Sequence, residues 1–338
     1  MLMLIFFSII ATALLIKFRL PIAKKLKIID YPTEKRKIHK LPTPLMGGLI
    51  IIINLLLINA YLFLKNELSS LDITIFIFCF FSFIIGLIDD QKKISSVNKL
   101  MIIGLVYVII GVIDKNLFLK YLYLETLDKF FYLDVFNIFF STLCVLLLIN
   151  AFNLVDGLNG LAISIAILWL FFIFNYFENV NYAYFILILS LLIMLPFNLQ
   201  GKFFLGDSGS ILIGSLIGIF FITSYNLELD LDTNKISLEK IFILFMIPGL
   251  DMFRLFLERI FNKKNPFLPD DKHLHHYLIK NFNLKKTLVI YLLLLIAPII
   301  VDYLNLIYPL LNISITIFIY LLLLSYCKKA IYDKNQKN

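Results

Sequence analysis

Charged residues are scarce in this chain of 338 residues. Only 16% are Asp, Glu, Lys or Arg, and 61% are hydrophobic, whereas soluble globular domains carry about 25% charged residues. This composition excludes an ordinary soluble enzyme. Because about 20 apolar residues cross a bilayer as a helix, the length suffices for about ten spans with short loops and leaves no room for a large soluble domain.

Cysteine is almost absent. Cys79, Cys144 and Cys327 each lie in or at the end of an apolar run, and no C-x-x-C spacing occurs. The three residues therefore give no disulfide framework of a secreted fold and no cysteine metal site. We interpret them as small hydrophobic residues of the membrane interior.

Long apolar runs make up most of the rest of the chain, and they predict an all-α, polytopic integral membrane protein with about eleven transmembrane helices. The runs lie at 1–16, 45–64, 71–88, 98–113, 134–151, 161–177, 182–199, 209–225, 239–256, 287–307 and 309–326. The first run has its basic residue, Lys17, after it, so we expect it to remain as a span and not to be a signal peptide. With no internal repeat or low-complexity linker, residues 1–338 are predicted to form a single domain.

The basic residues are distributed unevenly between the loops. Of the 31 Lys and Arg, 25 follow odd-numbered runs. By the positive-inside rule these loops are cytoplasmic, which predicts an external N-terminus and a cytoplasmic C-terminus. The net charge of +8 is thereby explained by membrane topology, and we predict no nucleic-acid partner.

Two adjacent carboxylates, Asp89 and Asp90, follow the third run. Adjacent carboxylates repel each other, and keeping both ionised normally requires a nearby cation such as Mg²⁺, Lys or Arg. The alternative is that they merely end a helix in water, beside Lys92 and Lys93.

Polar residues at three-residue steps join the fifth and sixth runs. They are Asn150, Asn153, Asp156 and Asn159, together with Gly157 and Gly160. Amide and carboxylate groups can bind a ligand, and glycine lets the backbone approach it closely. Asx and glycine residues are also typical of a tight turn between helices, but four at this spacing exceed what a turn requires and indicate a site.

The residues Gly206, Asp207 and Ser208 precede the eighth run. A helix start rich in small residues offers backbone N–H groups to a phosphate, and Asp207 could hold a metal ion there. The alternative is ordinary N-capping. No lysine stands where a P-loop requires one, which excludes an NTPase site of that type.

Three histidines lie close together after the ninth run: His273, His275 and His276. Among basic residues, they suit a diphosphate, because an imidazole can donate a hydrogen bond or move a proton. Zinc is the rival ligand, although no HExxH glutamate is present. Nearby, Asp270 and Asp271 add carboxylates, while Asp251 and Arg254 are three residues apart and can pair on one helical face.

The loop of residues 30–49 is basic and proline-containing, and it ends in Gly47 and Gly48 at the start of the second run. It could simply bind anionic lipid. The glycine pair predicts close packing of this helix start against another backbone or a ligand.

Taken together and in this order, the five motifs resemble the polyprenyl-phosphate N-acetylhexosamine-1-phosphate transferases (glycosyltransferase family 4), which include WecA-like and TagO-like enzymes and the related MraY translocases. The resemblance extends over residues 30–277. It implies a multi-pass protein of the bacterial cytoplasmic membrane with a cytoplasmic active site. It also implies transfer of a sugar 1-phosphate from a UDP-N-acetylhexosamine to undecaprenyl phosphate, with Mg²⁺ or Mn²⁺ as cofactor and UMP as the second product.

The same resemblance assigns roles to residues. The catalytic positions fall on two aspartates and three histidines, which are Asp89, Asp90, His273, His275 and His276. The substrate-binding positions fall on Lys40, Thr43, Asn153, Asp156 and Asn159. The metal-ligand positions fall on Asp207 and Asp156.

Two details of the motifs narrow the choice of sugar nucleotide donor. Asn159 stands where many members have Asp, so an amide is expected to bind the nucleotide there. The histidines read H-L-H-H, as in the WecA-like and TagO-like branch, which favours GlcNAc 1-phosphate and initiation of a cell-envelope glycan such as O-antigen. The alternatives are a phospho-N-acetylmuramoyl-pentapeptide transferase, a transporter or flippase of anionic lipid-linked sugar, and a zinc-dependent hydrolase. A homo-oligomer remains open.

Overall fold

Helices account for most of the structure. The computed structural model describes residues 1–32, 41–177, 180–230, 236–265 and 271–337. The α-helices are α1 (Leu2–Lys17), α2 (Arg19–Leu26), α3 (Gly47–Leu64), α4 (Ser70–Lys92), α5 (Ser96–Ile113), α6 (Asn137–Val155), α7 (Leu161–Tyr176), α8 (Phe185–Leu199), α9 (Gly206–Asp230), α10 (Leu238–Phe261), α11 (Leu274–Asn281), α12 (Leu284–Tyr303) and α13 (Pro309–Lys337). Short strands are β1 (Ile29–Asp30), β2 (Thr43–Pro44), β3 (Tyr121–Leu124) and β4 (Lys129–Tyr132). Strand β1 pairs antiparallel with β2, and β3 pairs with β4.

Polar caps explain where several of the apolar helices begin. The Ser69 hydroxyl accepts a hydrogen bond from the Asp72 N–H at 3.1 Å, and the Asp72 carboxylate accepts one from the Ser69 N–H at 3.0 Å. This reciprocal pair satisfies two N–H groups at the start of α4. Ser95, Ser237 and Asn283 cap α5, α10 and α12 in the simpler one-way form. These boundaries are therefore set by local sequence.

The helices confirm an all-α, polytopic membrane protein. Within the described ranges, eight helices are long and apolar enough to cross a membrane, or nine if α1 and α2, which meet at a bend of 72°, are one span. Each of the eleven predicted runs coincides with a helix. Helix α8 is counted among the eight together with the turn before it, as Tyr182–Leu199. Helix α7 falls below the required length, and α10 is not among the eight. The count of about eleven and the external N-terminus remain predictions.

The chain divides into two compact units. The first unit comprises Met1–Tyr121 and Leu133–Asn234, and the second comprises Leu122–Tyr132 and Lys235–Asn338. Each unit has its own packed helices, α1–α9 in the first and α10–α13 in the second. The single domain expected for residues 1–338 stays a prediction.

Helix α9 forms the centre of the first unit, where it packs against α3, α4, α6 and α7. Small residues permit these crossings. A Cβ atom at Gly86 of α4 would lie 2.5 Å from Ser208 Cα, and one at Gly48 of α3 would lie 2.6 Å from the Ser208 carbonyl carbon. Neither position has room for a side chain. The close packing predicted for the glycine pair at the start of α3 is therefore confirmed.

In the second unit, the β3–β4 hairpin is anchored to the start of α10. The Glu239 carboxylate accepts hydrogen bonds from the Thr126 hydroxyl at 2.6 Å and from the N–H groups of Glu125 and Thr126 at 3.1 Å each. Helices α10, α11, α12 and α13 then pack on one another. This packing surrounds the histidines that follow α10.

Candidate active site

Four aspartates come together in the first unit, and we call Asp89, Asp90, Asp156 and Asp207 the carboxylate cluster. Asp89 and Asp90 lie in the last turn of α4, Asp156 directly follows α6, and Asp207 lies in the first turn of α9. Because α4 and α6 both pack against α9, three separate sequence motifs meet at one place. The fold thus unites the Asp pair, the Asx-rich turn and the Gly-Asp motif.

Lys99 lies between two members of this cluster. Its Nζ is 2.6 Å from Asp89 Oδ2 and 3.0 Å from Asp207 Oδ1, and the residue is only 9% exposed. One lysine from α5 therefore links α4 to α9 by charge. The sequence predictions did not include Lys99. The sequence feature that could have identified it is a lysine in the first turn of an apolar helix, because a charge buried there requires partners.

Asp90 has different hydrogen-bond partners from its neighbour Asp89. Its Oδ1 accepts the Asp207 N–H at 2.8 Å, and its Oδ2 accepts the Ser208 N–H at 3.0 Å. A carboxylate at the positive end of a helix dipole is favourable. Asp90 therefore occupies two of the N–H groups at this helix start, and the expectation that the helix start binds a phosphate stays a prediction.

Asn153 also reaches α9. Its amide nitrogen donates to Asp207 Oδ1 at 2.5 Å and to the Ser210 hydroxyl at 2.8 Å. The Asp207 carboxylate is thus held by an amide from α6 and an ammonium group from α5. The nucleotide-binding role expected for Asn153 remains a prediction, and its observed partners are residues of α9. Ser210, which belongs to the segment of small residues predicted at the start of this helix, is one of them.

Asp156 lies close to two other carboxylates of the cluster, Asp207 and Asp90. Burial raises its pKa well above the ordinary value, and the neighbouring carboxylates of Asp207 and Asp90 raise it further. Additional positive charge would relieve this repulsion. The cluster is therefore a place where a cation is stabilised.

The remaining substrate-binding predictions fall on the loops around α9. Thr43 is buried in β2, and its hydroxyl donates to the Leu41 carbonyl oxygen at 3.0 Å. Just after it, Leu45 forms a parallel bridge with Phe204, which holds this loop beside the start of α9. Asn159 approaches the turn before α9, since a Cβ atom at Gly201 would lie 3.4 Å from its amide nitrogen. Lys40 lies outside the described residues.

Three histidines of the second unit form what we call the histidine cluster: His273, His275 and His276. The rings of His273 and His275 are nearly parallel, with centroids 5.5 Å apart, and the His275 and His276 centroids are 4.2 Å apart. His273 Nδ1 lies 2.9 Å from Asp251 Oδ2. Both ring nitrogens of buried His275 make no hydrogen bond within the described part of the chain.

Burial favours neutral rings for two of these histidines. It lowers the pKa of His275 well below the ordinary value and the pKa of His276 to about 4, with neighbouring histidine rings adding to both shifts. The predicted pair of Asp251 and Arg254 is confirmed, at 3.0 Å between Oδ1 and Nη2. Asp271 pairs with Lys280 at 2.6 Å, and Asp270 lies outside the described residues.

The donor chemistry of the carboxylate cluster suits a hard cation. Among the residues that the structure places, no three His, Cys, Asp or Glu residues form a ready-made metal site, which gives no support to a zinc centre at the histidines. Mg²⁺ differs, because it usually takes one or two carboxylates and completes its shell with water and substrate phosphates. Asp207 and Asp156 fit that requirement.

The fold and its sites define a class of protein: a multi-pass helical protein with a carboxylate cluster in one unit and a histidine cluster in the other. The family model for Glycosyl transferase family 4 matches residues 72–225, a range that contains the entire carboxylate cluster. The chain belongs to this family, in agreement with the motif resemblance.

Curated relatives match most of the chain. It is 30% identical over 269 residues to the undecaprenyl-phosphate alpha-N-acetylglucosaminyl 1-phosphate transferase of Thermotoga maritima, covering 79% of this chain and 78% of the relative. It is 29% identical over 294 residues to the protein of the same name from Escherichia coli K12, covering 80% and 74%. A probable undecaprenyl-phosphate N-acetylglucosaminyl 1-phosphate transferase of Bacillus subtilis is 28% identical over 285 residues, covering 80% and 76%.

Proposed function

We propose that the protein transfers N-acetylglucosamine 1-phosphate from UDP-N-acetylglucosamine to undecaprenyl phosphate, releasing UMP and initiating a cell-envelope glycan. The observation that carries the proposal is the buried contact of Lys99 with Asp89 and Asp207, which joins three helices in a family whose curated relatives bear this activity in their names. A phosphate oxygen of the lipid attacks the β-phosphorus of the donor. The bond between the β-phosphorus and the bridging oxygen breaks, and UMP leaves.

The principal obstacle to this reaction is the repulsion between two polyanions. Catalysis then depends on positioning and on charge stabilisation. Lys99 supplies a fixed positive charge, and its two short contacts with Asp89 and Asp207 hold it in place. Asn153 donates to the same Asp207 oxygen as Lys99, and its amide also donates to the Ser210 hydroxyl. Mg²⁺, held by Asp207 and Asp156, would supply further positive charge to the diphosphate.

The other predicted residues have supporting roles in this proposal. Asp90 keeps the start of α9 in place, and through it the Asp207 carboxylate. The histidine cluster offers imidazole groups to phosphate oxygens. In this proposal the site faces the cytoplasm, which is supported by the 25 of 31 Lys and Arg residues that follow odd-numbered runs.

The test is a transfer assay with purified protein in detergent, undecaprenyl phosphate and UDP-GlcNAc radiolabelled in the sugar. We expect labelled lipid and UMP in equal amounts, loss of both with EDTA, and recovery with Mg²⁺. Product with UDP-GalNAc or UDP-MurNAc-pentapeptide, but none with UDP-GlcNAc, would correct the donor. Release of UMP and free labelled sugar phosphate without labelled lipid, restored by Zn²⁺ alone, would favour a zinc hydrolase. No product with any donor, together with movement of labelled lipid across vesicles, would favour a carrier.

A further inference from the structure

Asp251 joins three helical segments of the second unit through one buried carboxylate. The residue lies in α10 and is 3% exposed. Its Oδ1 accepts hydrogen bonds from Arg254 Nη2 at 3.0 Å and from the Tyr320 hydroxyl of α13 at 2.8 Å. Its Oδ2 faces His273 Nδ1 at 2.9 Å. The Leu274 N–H, at the start of α11, lies 3.2 Å from Oδ1 and 3.1 Å from Oδ2.

Apart from the Leu274 N–H, which both oxygens share, the two oxygens of this carboxylate have separate side-chain partners. Oδ1 meets an arginine and a tyrosine, which hold helices together. Oδ2 meets the imidazole. An ionised carboxylate can only accept hydrogen bonds, so the hydrogen between Oδ2 and His273 belongs to Nδ1 of the ring. Asp251 therefore selects one tautomer of His273 and one orientation of its ring.

Among the described residues, no carboxylate makes a hydrogen bond of this kind to the other two histidines. Both nitrogens of His275 make no hydrogen bond within the described ranges. His276 lies beside His273 and His275, with Asp271 and Lys280 as further charged neighbours. The charged and titratable groups around His273 are Asp251, Arg254, His275 and His276. Of the three rings, His273 is the one that a carboxylate orients.

We infer that Asp251 is a positioning residue for His273: it keeps the ring hydrogen on Nδ1, so that Nε2 holds a lone pair that can accept a proton from a phosphate hydroxyl during transfer. The inference rests on the proposed function and adds a residue to it. An imidazole held in this way can take the proton that the hydroxyl of the lipid phosphate loses on attack and pass it to the phosphate of the departing UMP, because the adjacent carboxylate stabilises the positive ring. Asp251 acts through His273 and does not itself touch the substrate.

The decisive variant is Asp251→Asn. The amide oxygen of Asn can keep the contacts of Oδ1 with Arg254 and Tyr320, whereas its NH₂ group would face His273 Nδ1. The ring must then present a lone pair at Nδ1 and carry its hydrogen on Nε2. The matched control is Tyr320→Phe, which removes a donor to Oδ1 and leaves the contact with His273 intact.

In the transfer assay, we expect Asp251→Asn to lower kcat about 100-fold while the KM for UDP-GlcNAc changes less than about threefold. His273→Gln should lower kcat similarly, and the double variant should be no slower than His273→Gln alone. Tyr320→Phe should stay within about threefold of wild type. Losses that multiply in the double variant, or a Tyr320→Phe loss as large as that of Asp251→Asn, would overturn the inference.

A second measurement does not require activity. ¹⁵N NMR of the histidine rings, with the His273 signals assigned by their absence in His273→Gln, reports the tautomer directly. We expect a protonated Nδ1 in wild type and a protonated Nε2 in Asp251→Asn. A wild-type ring protonated only at Nε2 overturns the inference whatever the activity. A wild-type ring with the expected tautomer but no transfer contradicts the proposed function and leaves the positioning of His273 supported.

Discussion

Charge is balanced in opposite ways in the carboxylate cluster and in the histidine cluster. In the first unit, carboxylates from α4 and α9 share one lysine, so a single positive charge serves Asp89 and Asp207. In the second unit, a single carboxylate, Asp251, serves several donors. The carboxylate cluster retains excess negative charge and suits a cation. The histidine cluster is largely compensated and suits the orientation of one ring.

Of the effects that we predict for the two clusters, the loss of stability on removing Lys99 should be the largest. Lys99→Met leaves Asp89 buried without its ammonium partner, and we expect a loss of about 3–5 kcal/mol of stability, most of it from this pair. The pair with Asp207 contributes less, because solvent screens a side chain that is 35% exposed. Thermal unfolding in detergent measures the loss. Adding Asp89→Asn to Lys99→Met should recover part of the loss, because one unpaired charge disappears. An unchanged unfolding temperature for Lys99→Met would mean that its two ion pairs do not stabilise the fold.

The next effect concerns activity. Asp207→Asn should keep expression and folding but lower Mg²⁺-dependent transfer about 100- to 1,000-fold, because charge stabilisation is lost where the diphosphate reacts. The matched control is Asp333→Asn near the end of α13, an exposed position, which should transfer at the wild-type rate. Wild-type turnover in Asp207→Asn would remove Asp207 from the site.

A smaller effect tests the backbone crossing beneath the carboxylate cluster. Gly86→Ala would place a Cβ atom 2.5 Å from Ser208 Cα, and we expect a loss of about 1–3 kcal/mol as α4 and α9 move apart. Gly249→Ala in α10 is the control, since nothing lies within 4 Å of its Cβ position. That control should be neutral or more stable. Equal losses in the two variants would contradict a specific crossing at Ser208.

The smallest effect concerns pH and the histidine cluster. Because the pKa of His276 is lowered from an ordinary value of about 6.5 to about 4, its neutral form stabilises the fold above pH about 6.5. That stability is lost as the pH falls from about 6.5 towards about 4. Between neutral pH and pH about 5, the free energy of unfolding should therefore fall by about 1 kcal/mol more in wild type than in His276→Gln. Parallel unfolding temperatures for both proteins over this interval would show that His276 does not titrate as described.

Local features of the molecule were predictable from its sequence. Apolar runs determine the helices because a bilayer requires about 20 apolar residues, and Asp251 pairs with Arg254 because residues three apart share a helical face. The contact of Lys99 with Asp207 joins residues 108 positions apart, and that of Asn153 with Asp207 joins residues 54 apart. Such contacts depend on which helices pack together, and the pattern of a single helix does not contain that information.

The partners of Asp89 and Asp90, which are adjacent in the sequence, could not be predicted from the sequence either. Their adjacency predicted a shared cation, which Lys99 provides for Asp89. Successive residues on a helix point in directions about 100° apart, so Asp90 instead meets the start of α9. The sequence therefore predicted a polar site here and could not predict that one carboxylate would bind a lysine and the other cap a helix.

The most direct test of the proposed sugar 1-phosphate transfer is to follow the β-phosphate of the sugar nucleotide. With radiophosphorus in the β-phosphate of UDP-GlcNAc, transfer of the sugar 1-phosphate places the label in the undecaprenyl product and leaves unlabelled UMP. We predict this outcome for wild type and its loss in Asp207→Asn. Label that remains in UDP while the sugar reaches the lipid would show transfer of the sugar alone and contradict the central claim.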